Sequence, residues 1–263
     1  MPAINPEVPQ WIDQMGDKEQ VVAFFAYQSL LEQVLHSGAG QTEMQVTLAE
    51  ALGGALTAVT KLNARNSVAG NAFLSAVASQ TVNYVHPPRV RVSLARLLGY
   101  MPVEAAVPFL AKALEDLDAR DMARCSLEAN PSEKASDALI EALDSVGGSF
   151  RAGVVNSLAK RKGARVAAAL RKAAEDPQPE VRLAVLEALA DVAEASHDAI
   201  LEKATRAASP AERGTAHIAR ARLAETLRAS GDRRGAERIY KAILASGAEE
   251  PQKKAARLAL NAG

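Results

Sequence analysis

Five times in this chain an arginine stands seven residues ahead of a leucine: Arg91/Leu98, Arg120/Leu127, Arg151/Leu158, Arg182/Leu189 and Arg220/Leu227. The leucines recur at near-even steps from Leu98 to Leu189, and the last step, to Leu227, is longer. A period near thirty is the mark of a repeated unit, each burying its apolar face on the next. One irregular globular core would have no reason to recur in this way.

Composition fits a stack of helices. Hydrophobic residues make up 48% of 263 positions and aromatics only 4%, so the interior is filled by many Ala, Leu and Val side chains, which suits closely packed helices. No run of 18 apolar residues is long enough to span a bilayer. Cys125 is the single cysteine, which excludes an intrachain disulfide. The N-terminal stretch lacks a basic region and a cleavage site, so the chain as written is expected in the cytoplasm. A signal peptide removed earlier would make it periplasmic or secreted. Residues 1–150 hold 17 acidic and 10 basic side chains, and the remainder 14 and 21. That asymmetry gives a charge dipole able to steer an anionic partner to the C-terminal half or to favour head-to-tail self-association.

From Pro87 onward each unit reads as two helices with apolar residues at helical spacing. The spacing predicts helices over 88–99 and 103–117, then 120–130 with 132–143, 149–162 with 164–175, and 179–194 with 197–207. Asn130-Pro131-Ser132 and Asp176-Pro177-Gln178-Pro179 supply stops and caps. Before Pro87 the repeat decays. Helices over 17–35, 42–62 and 67–85 are expected, with Trp11, Ile12, Phe24, Phe25, Leu30 and Leu31 sealing the first hairpin.

The stretch Asp176 to Val192 (DPQPEVRLAVLEALADV) resembles a HEAT repeat of the short bacterial, phycobilisome-lyase type, and the resemblance extends over Arg120 to Leu170. It implies an all-α fold, a right-handed α-solenoid of stacked antiparallel hairpins. The family pattern places an aspartate before the arginine-bearing helix, able to bond backbone or an adjacent unit's arginine. Asp116 and Asp176 fit that pattern, whereas Pro87 and Ser145 occupy the corresponding turns elsewhere, so an unbroken aspartate-arginine ladder is not expected. Ala219 to Leu244 is similar to a tetratricopeptide-type (TPR) hairpin, and Gln252 to Asn261 then reads as half a hairpin that caps the stack. The expected organisation is a divergent N-terminal part of the solenoid over 1–86, HEAT-like repeats over 87–208, and a TPR-like hairpin with its cap over 209–263.

The sequence offers little chemistry. His36, His86, His197 and His217 lack partners at ligand spacing and read as surface or packing residues. Cys125 reads as a buried, inert thiol on an Ala/Leu face. Gly38 to Thr42 superficially matches a phosphate loop but lacks its lysine, and Gly53-Gly54 reads as a close helix approach. Glu115, Asp116 and Asp118 are expected at a solvated hairpin end. Neither a catalytic residue nor a cofactor or metal site is assigned, and the expected answer to whether this is an enzyme is no.

In a HEAT-type array the second helices of the units line the concave side. Aligning them on Leu110, Leu139, Leu170, Leu201 and Ile239 puts Lys112, Glu141, Lys172, Lys203 and Lys241 at one outward position, with Arg171, Arg206 and Arg238 adjacent. This ridge is the candidate partner-binding surface. It points to a noncatalytic protein-interaction scaffold for an acidic protein partner. Nucleic-acid binding is the alternative, disfavoured by zero net charge and few aromatics. A bilin-lyase-like enzyme is a weaker one, suggested by the family resemblance alone.

Overall fold

The computed structural model describes residues 88–261 except 101 and 102, together with residues 7, 10, 14, 29, 75, 77–79 and 81–84. The helices expected before Pro87, the aromatic seal, Gly38 to Thr42, Gly53-Gly54, His36 and His86 lie outside the described residues. All regular structure among the described residues is helical. Among the described residues from Pro88 onward, eleven α-helices follow one another: α1 Pro88–Tyr100, α2 Val107–Ala113, α3 Arg120–Ala129, α4 Glu133–Ser145, α5 Gly148–Ala159, α6 Ala164–Ala173, α7 Pro179–Asp191, α8 Asp198–Ala204, α9 Pro210–Ala229, α10 Arg233–Ala245 and α11 Glu250–Asn261. The chain divides into two compact units, Met1–Leu139 and Ile140–Gly263, with the boundary inside α4.

Helix starts follow local chemistry. Pro179 and Pro210 stand in the first turns of α7 and α9, where a missing amide hydrogen costs nothing. The Ser209 side chain accepts from the Glu212 amide at 3.4 Å, and Asp232 caps α10 through the Gly235 amide at 2.8 Å. Gly163 opens α6 at φ 122° and ψ 153°, backbone territory that only glycine enters without strain.

The repeat leucines form the stack. Leu98, Leu127, Leu158, Leu189 and Leu227 are all at most 2% exposed, as are Leu110, Leu139, Leu170, Leu201 and Ile239 on the second helices. In the first unit α3 packs on α1, and in the second α7 packs on α5 and α9 on α7, each first helix lying against its counterpart. Burial of Leu, Val and Ala along these seams supplies most of the cohesion, about 25 cal/mol per Å² of apolar area. The result is an α-solenoid arrangement of hairpins within each unit.

Polar bonds lock the turns between layers. Asp116 accepts the Asp118 amide with Oδ1 and the Arg91 Nε with Oδ2, at 3.0 and 2.7 Å. Asp176 repeats the device in a later turn, taking the Gln178 amide at 2.9 Å and Arg151 Nη1 at 2.7 Å. The Gln178 side chain adds a bond from the Gly148 amide at 2.7 Å. Each aspartate, placed just after the second helix of a hairpin, thus binds the arginine on the first helix of that same hairpin. Asp116 is 6% exposed, which corrects its expected place at a solvated end: the guanidinium of Arg91 gives the buried carboxylate a partner. Burial opposes its ionisation, but the Arg91 hydrogen bond and charge, with the amides of Asp118 and Ala119, hold its pKa below the ordinary 3.8.

The fifth arginine falls differently from the sequence alignment. Arg182 Nη1 donates to the carbonyls of Asp176 and Pro177 at 2.7 and 3.0 Å, six and five positions upstream. Arg213 Nη1 does the same to Ala207 and Ala208 at 2.8 and 2.7 Å. Arg213 therefore continues the regular register from Arg182, and Arg220 stands where the unit before has Leu189. It is 1% exposed and bonds Asp198 through Nε–Oδ1 at 2.7 Å and Nη2–Oδ2 at 3.2 Å. The long last step, from Leu189 to Leu227, is one ordinary repeat, Leu189 to Arg220, followed by two further turns of the longer helix α9.

Cys125 also departs from expectation, since it is exposed. The buried stripe of α3 runs through Ala123, Ser126, Leu127 and Asn130, and Cys125 points the other way. Ser126, a polar residue, takes the inward place by donating to the Ala95 carbonyl at 2.6 Å.

Candidate binding cleft of the second helices

In the second unit the second helices expose the positions that the leucine alignment marks. Lys172, Lys203 and Lys241 are exposed, and so is Glu141 on α4. None of the three lysines stands as a lone cation. Lys172 Nζ reaches Asp144 at 2.9 Å, Lys203 Nζ reaches Glu175 at 3.0 Å, and Lys241 pairs with Glu237 one turn away. In the first two pairs the carboxylate comes from the preceding layer, Asp144 from the last turn of α4 and Glu175 from the turn just after α6. The ridge therefore holds two crosswise charge pairs, at Lys172 and Lys203, and one pair within a helix, at Lys241. All these side chains are largely solvated, so each pair contributes little and weakens with salt.

A cleft of about 1120 Å³ opens between α6 and α8. Arg171, Lys172, Lys203 and Arg206 line it, against a floor that includes Leu186 and Ile200. Arg206 bonds Glu202 at 3.1 Å. A second hollow of about 470 Å³ lies beside Lys172, walled by Asp144, Arg165 and Asp176. Arg238 and Lys241 line neither space; Arg238 makes only a long contact to the Ala195 carbonyl at 3.5 Å. Lys112 is exposed on α2 of the first unit.

The cleft wall also contains residues that the leucine alignment does not mark. Arg182 crosses to Glu212 with Nη2–Oε1 at 2.6 Å and Nε–Oε2 at 3.2 Å, a two-pronged bond that fixes one side. That bond lowers the Glu212 pKa below its ordinary 4.5, against burial, and raises that of Arg182. The Glu175 signal was present in the sequence, since Asp144 and Glu175 each stand five positions after an aligned leucine. Glu212 could not be found so, because it occupies the first turn of a different helix.

Behind the cleft, Arg171 bonds Glu194 at 2.9 Å and lies 3.5 Å from His197 Nε2. His197 is fully buried, and its Nδ1 is 2.9 Å from the Leu189 carbonyl. Nδ1 therefore carries the hydrogen, leaving Nε2 to accept from Arg171. Burial lowers its pKa below 6.5 and Arg171 adds to this, while the Leu189 carbonyl and Glu194 oppose. His197 is a packing residue that ties α7 to the start of α8.

No family profile and no curated protein matches this sequence. Among solved structures, an engineered protein is similar at 18% identity over 98% of this chain and 88% of that one, with a TM-score of 0.42. The complex of CpcE and CpcF of phycocyanin lyase from Nostoc sp. PCC7120 is similar at 15% identity over 100% and 96%, with a TM-score of 0.39. A designed armadillo repeat protein in complex with the peptide (KR)4 follows at 21% over 97% and 99%, with a TM-score of 0.29. The helical-repeat description rests on the buried leucines and recurring bonds of this chain itself.

Proposed function

We propose that this chain is a noncatalytic scaffold that holds a segment of another protein in the cleft between α6 and α8. The supporting observation is the cleft itself: about 1120 Å³ with apolar floor residues and a charged rim, carried on two stacked layers. Its lining includes five basic side chains (Arg171, Lys172, Arg182, Lys203, Arg206) and three carboxylates (Glu175, Glu202, Glu212). That excess favours an acidic segment, whose carboxylates would exchange with the exposed internal partners of Lys172 and Lys203. The same pairing disfavours a phosphate backbone, which draws its affinity from uncompensated cations.

Partners recovered by affinity capture and identified by mass spectrometry should be titrated against the wild type and against Lys172→Glu with Lys203→Glu. The charge reversal is expected to slow association and weaken binding about tenfold at low salt. Ile200→Arg, which fills the floor, is expected to weaken it further. Unchanged affinity of every recovered partner for both variants would refute the assignment of this cleft.

A further inference from the structure

Another hollow, of about 530 Å³, lies at the other end of the second unit among α9, α10 and α11. Its electrostatics differ from those of the cleft. Arg228 and Arg233, both exposed, stand at its rim, and among the described residues neither guanidinium has a carboxylate within 4.0 Å. Arg151, Arg171, Arg182, Arg206, Arg220 and Arg222 of the same unit each have one, and Arg213, which lines a different hollow and also lacks a carboxylate, is instead bonded to the carbonyls of Ala207 and Ala208. Glu237, the one carboxylate in the lining, is already paired with Lys241. Glu225 lies within electrostatic reach of the site but is itself exposed.

Tyr240 forms part of the wall. It is 3% exposed, and its hydroxyl is buried without a hydrogen-bond partner. Arg228 lies within side-chain reach of that hydroxyl but can only donate, which leaves the hydroxyl proton without an acceptor. A buried hydroxyl left unpaired is costly, so the site gains from any oxygen acceptor placed there. Ala236, Ala259 and Leu260 complete the lining with apolar surface.

We infer that this hollow binds a small organic oxyanion, a carboxylate or phosphate carrying an apolar group. The oxyanion is held between Arg228 and Arg233 and accepts from Tyr240 as the exposed Arg228 side chain swings toward it. The apolar group lies on Ala236, Ala259 and Leu260. Arginine suits this role because its planar fork matches the oxygens of both anions. The inference is independent of the cleft between α6 and α8, since the two share no lining residue.

Isothermal titration of the whole protein with phenyl phosphate, benzoate and inorganic phosphate tests it. The two aromatic anions are expected to bind at one site with Kd below about 1 mM, and inorganic phosphate more weakly. Arg228→Gln and Arg233→Gln, at exposed positions that leave the fold intact, are each expected to weaken both aromatic anions about tenfold. Tyr240→Phe, which keeps the ring and removes the hydroxyl, should weaken them several-fold with an unchanged circular dichroism spectrum. Absence of binding by either aromatic anion at concentrations of about 10 mM overturns the inference. So does binding that survives Arg228→Gln combined with Arg233→Gln, or affinity for inorganic phosphate equal to that for phenyl phosphate.

Discussion

Asp198→Ala should be among the most damaging single substitutions in the second unit. The Arg220 side chain is 2% exposed and its carboxylate partner, Asp198, is 14% exposed. Two bonds, at 2.7 and 3.2 Å, satisfy one edge of the guanidinium, and Glu202 is the next nearest carboxylate at 3.9 Å. A buried guanidinium cannot shed its charge, so removing Asp198 leaves it with Glu202, at 3.9 Å, as the nearest remaining carboxylate. Breaking a buried pair in this way costs about 3–5 kcal/mol. Loss of a carboxylate from the first turn of α8 adds about 0.3–1 kcal/mol. Arg220→Leu, which installs the residue that the regular register calls for, leaves Asp198 able to reach water and should cost less. Arg220→Leu combined with Asp198→Ala removes both charges and should recover most of the loss, because apolar replacement of a buried pair is commonly neutral or stabilising. Urea unfolding followed by circular dichroism gives the three values, provided the denaturant slope stays constant. A cost below about 1 kcal/mol for Asp198→Ala, or a double variant as unstable as the two single losses added together, would refute the reasoning.

The carboxylates paired in the turns give an acid limb. Asp116 and Glu212 titrate below their ordinary 3.8 and 4.5, so their contribution is present above those values and is lost as pH falls through the lower folded values. Urea midpoints across that range should fall, and Arg182→Gln should abolish the part due to Glu212. His197 adds a limb nearer neutrality: its folded pKa lies below 6.5, so its neutral form contributes fully above 6.5 and stability declines as pH drops through the folded value. His197→Gln should flatten the stability profile below pH 6.5, and an unchanged slope there would remove the histidine from the account. Cys125, exposed on α3, should react completely with a thiol reagent in the native protein, and reaction only in denaturant would contradict its placement. Gly163→Ala should cost about 1–3 kcal/mol in a thermal melt, all of it from backbone strain, because nothing lies within 4 Å of the added methyl.

The leucine spacing made the layers legible because burial of one stripe per helix follows from local periodicity. Hence the first helices align on Leu98, Leu127, Leu158 and Leu189 and the second helices on Leu110 through Ile239, whereas Leu227 lies two turns past the register position that Arg220 fills. What the spacing could not resolve is identity of role when one residue type does two jobs. Arg220 mimics the repeat arginine by standing seven positions before a leucine, yet it fills a core position with its charge cancelled by Asp198. Cys125 and Ser126 show the same limit at a finer scale: hydrophobicity favours the thiol for the inside, but helical phase and the Ala95 carbonyl put the hydroxyl there. For the cleft, the exposure of Lys172 and Lys203 was predictable from the leucine two positions earlier. Their partners Asp144 and Glu175 share one offset from the aligned leucines, but the pairing itself joins residues 28 apart that meet only after the layers stack.

The bonds between Gly148 and Gln178 and between Arg151 and Asp176 both begin and end inside one repeat length. A tandem duplication of Gly148–Gln178 would carry its own donors and acceptors, and the lysine of the new copy would meet a glutamate where Asp144 now stands. Such a chain can lengthen without inventing a joint. Beyond Pro210 that freedom ends, for a copied α9 would bring a charge that only the aspartate of its own preceding helix can quench.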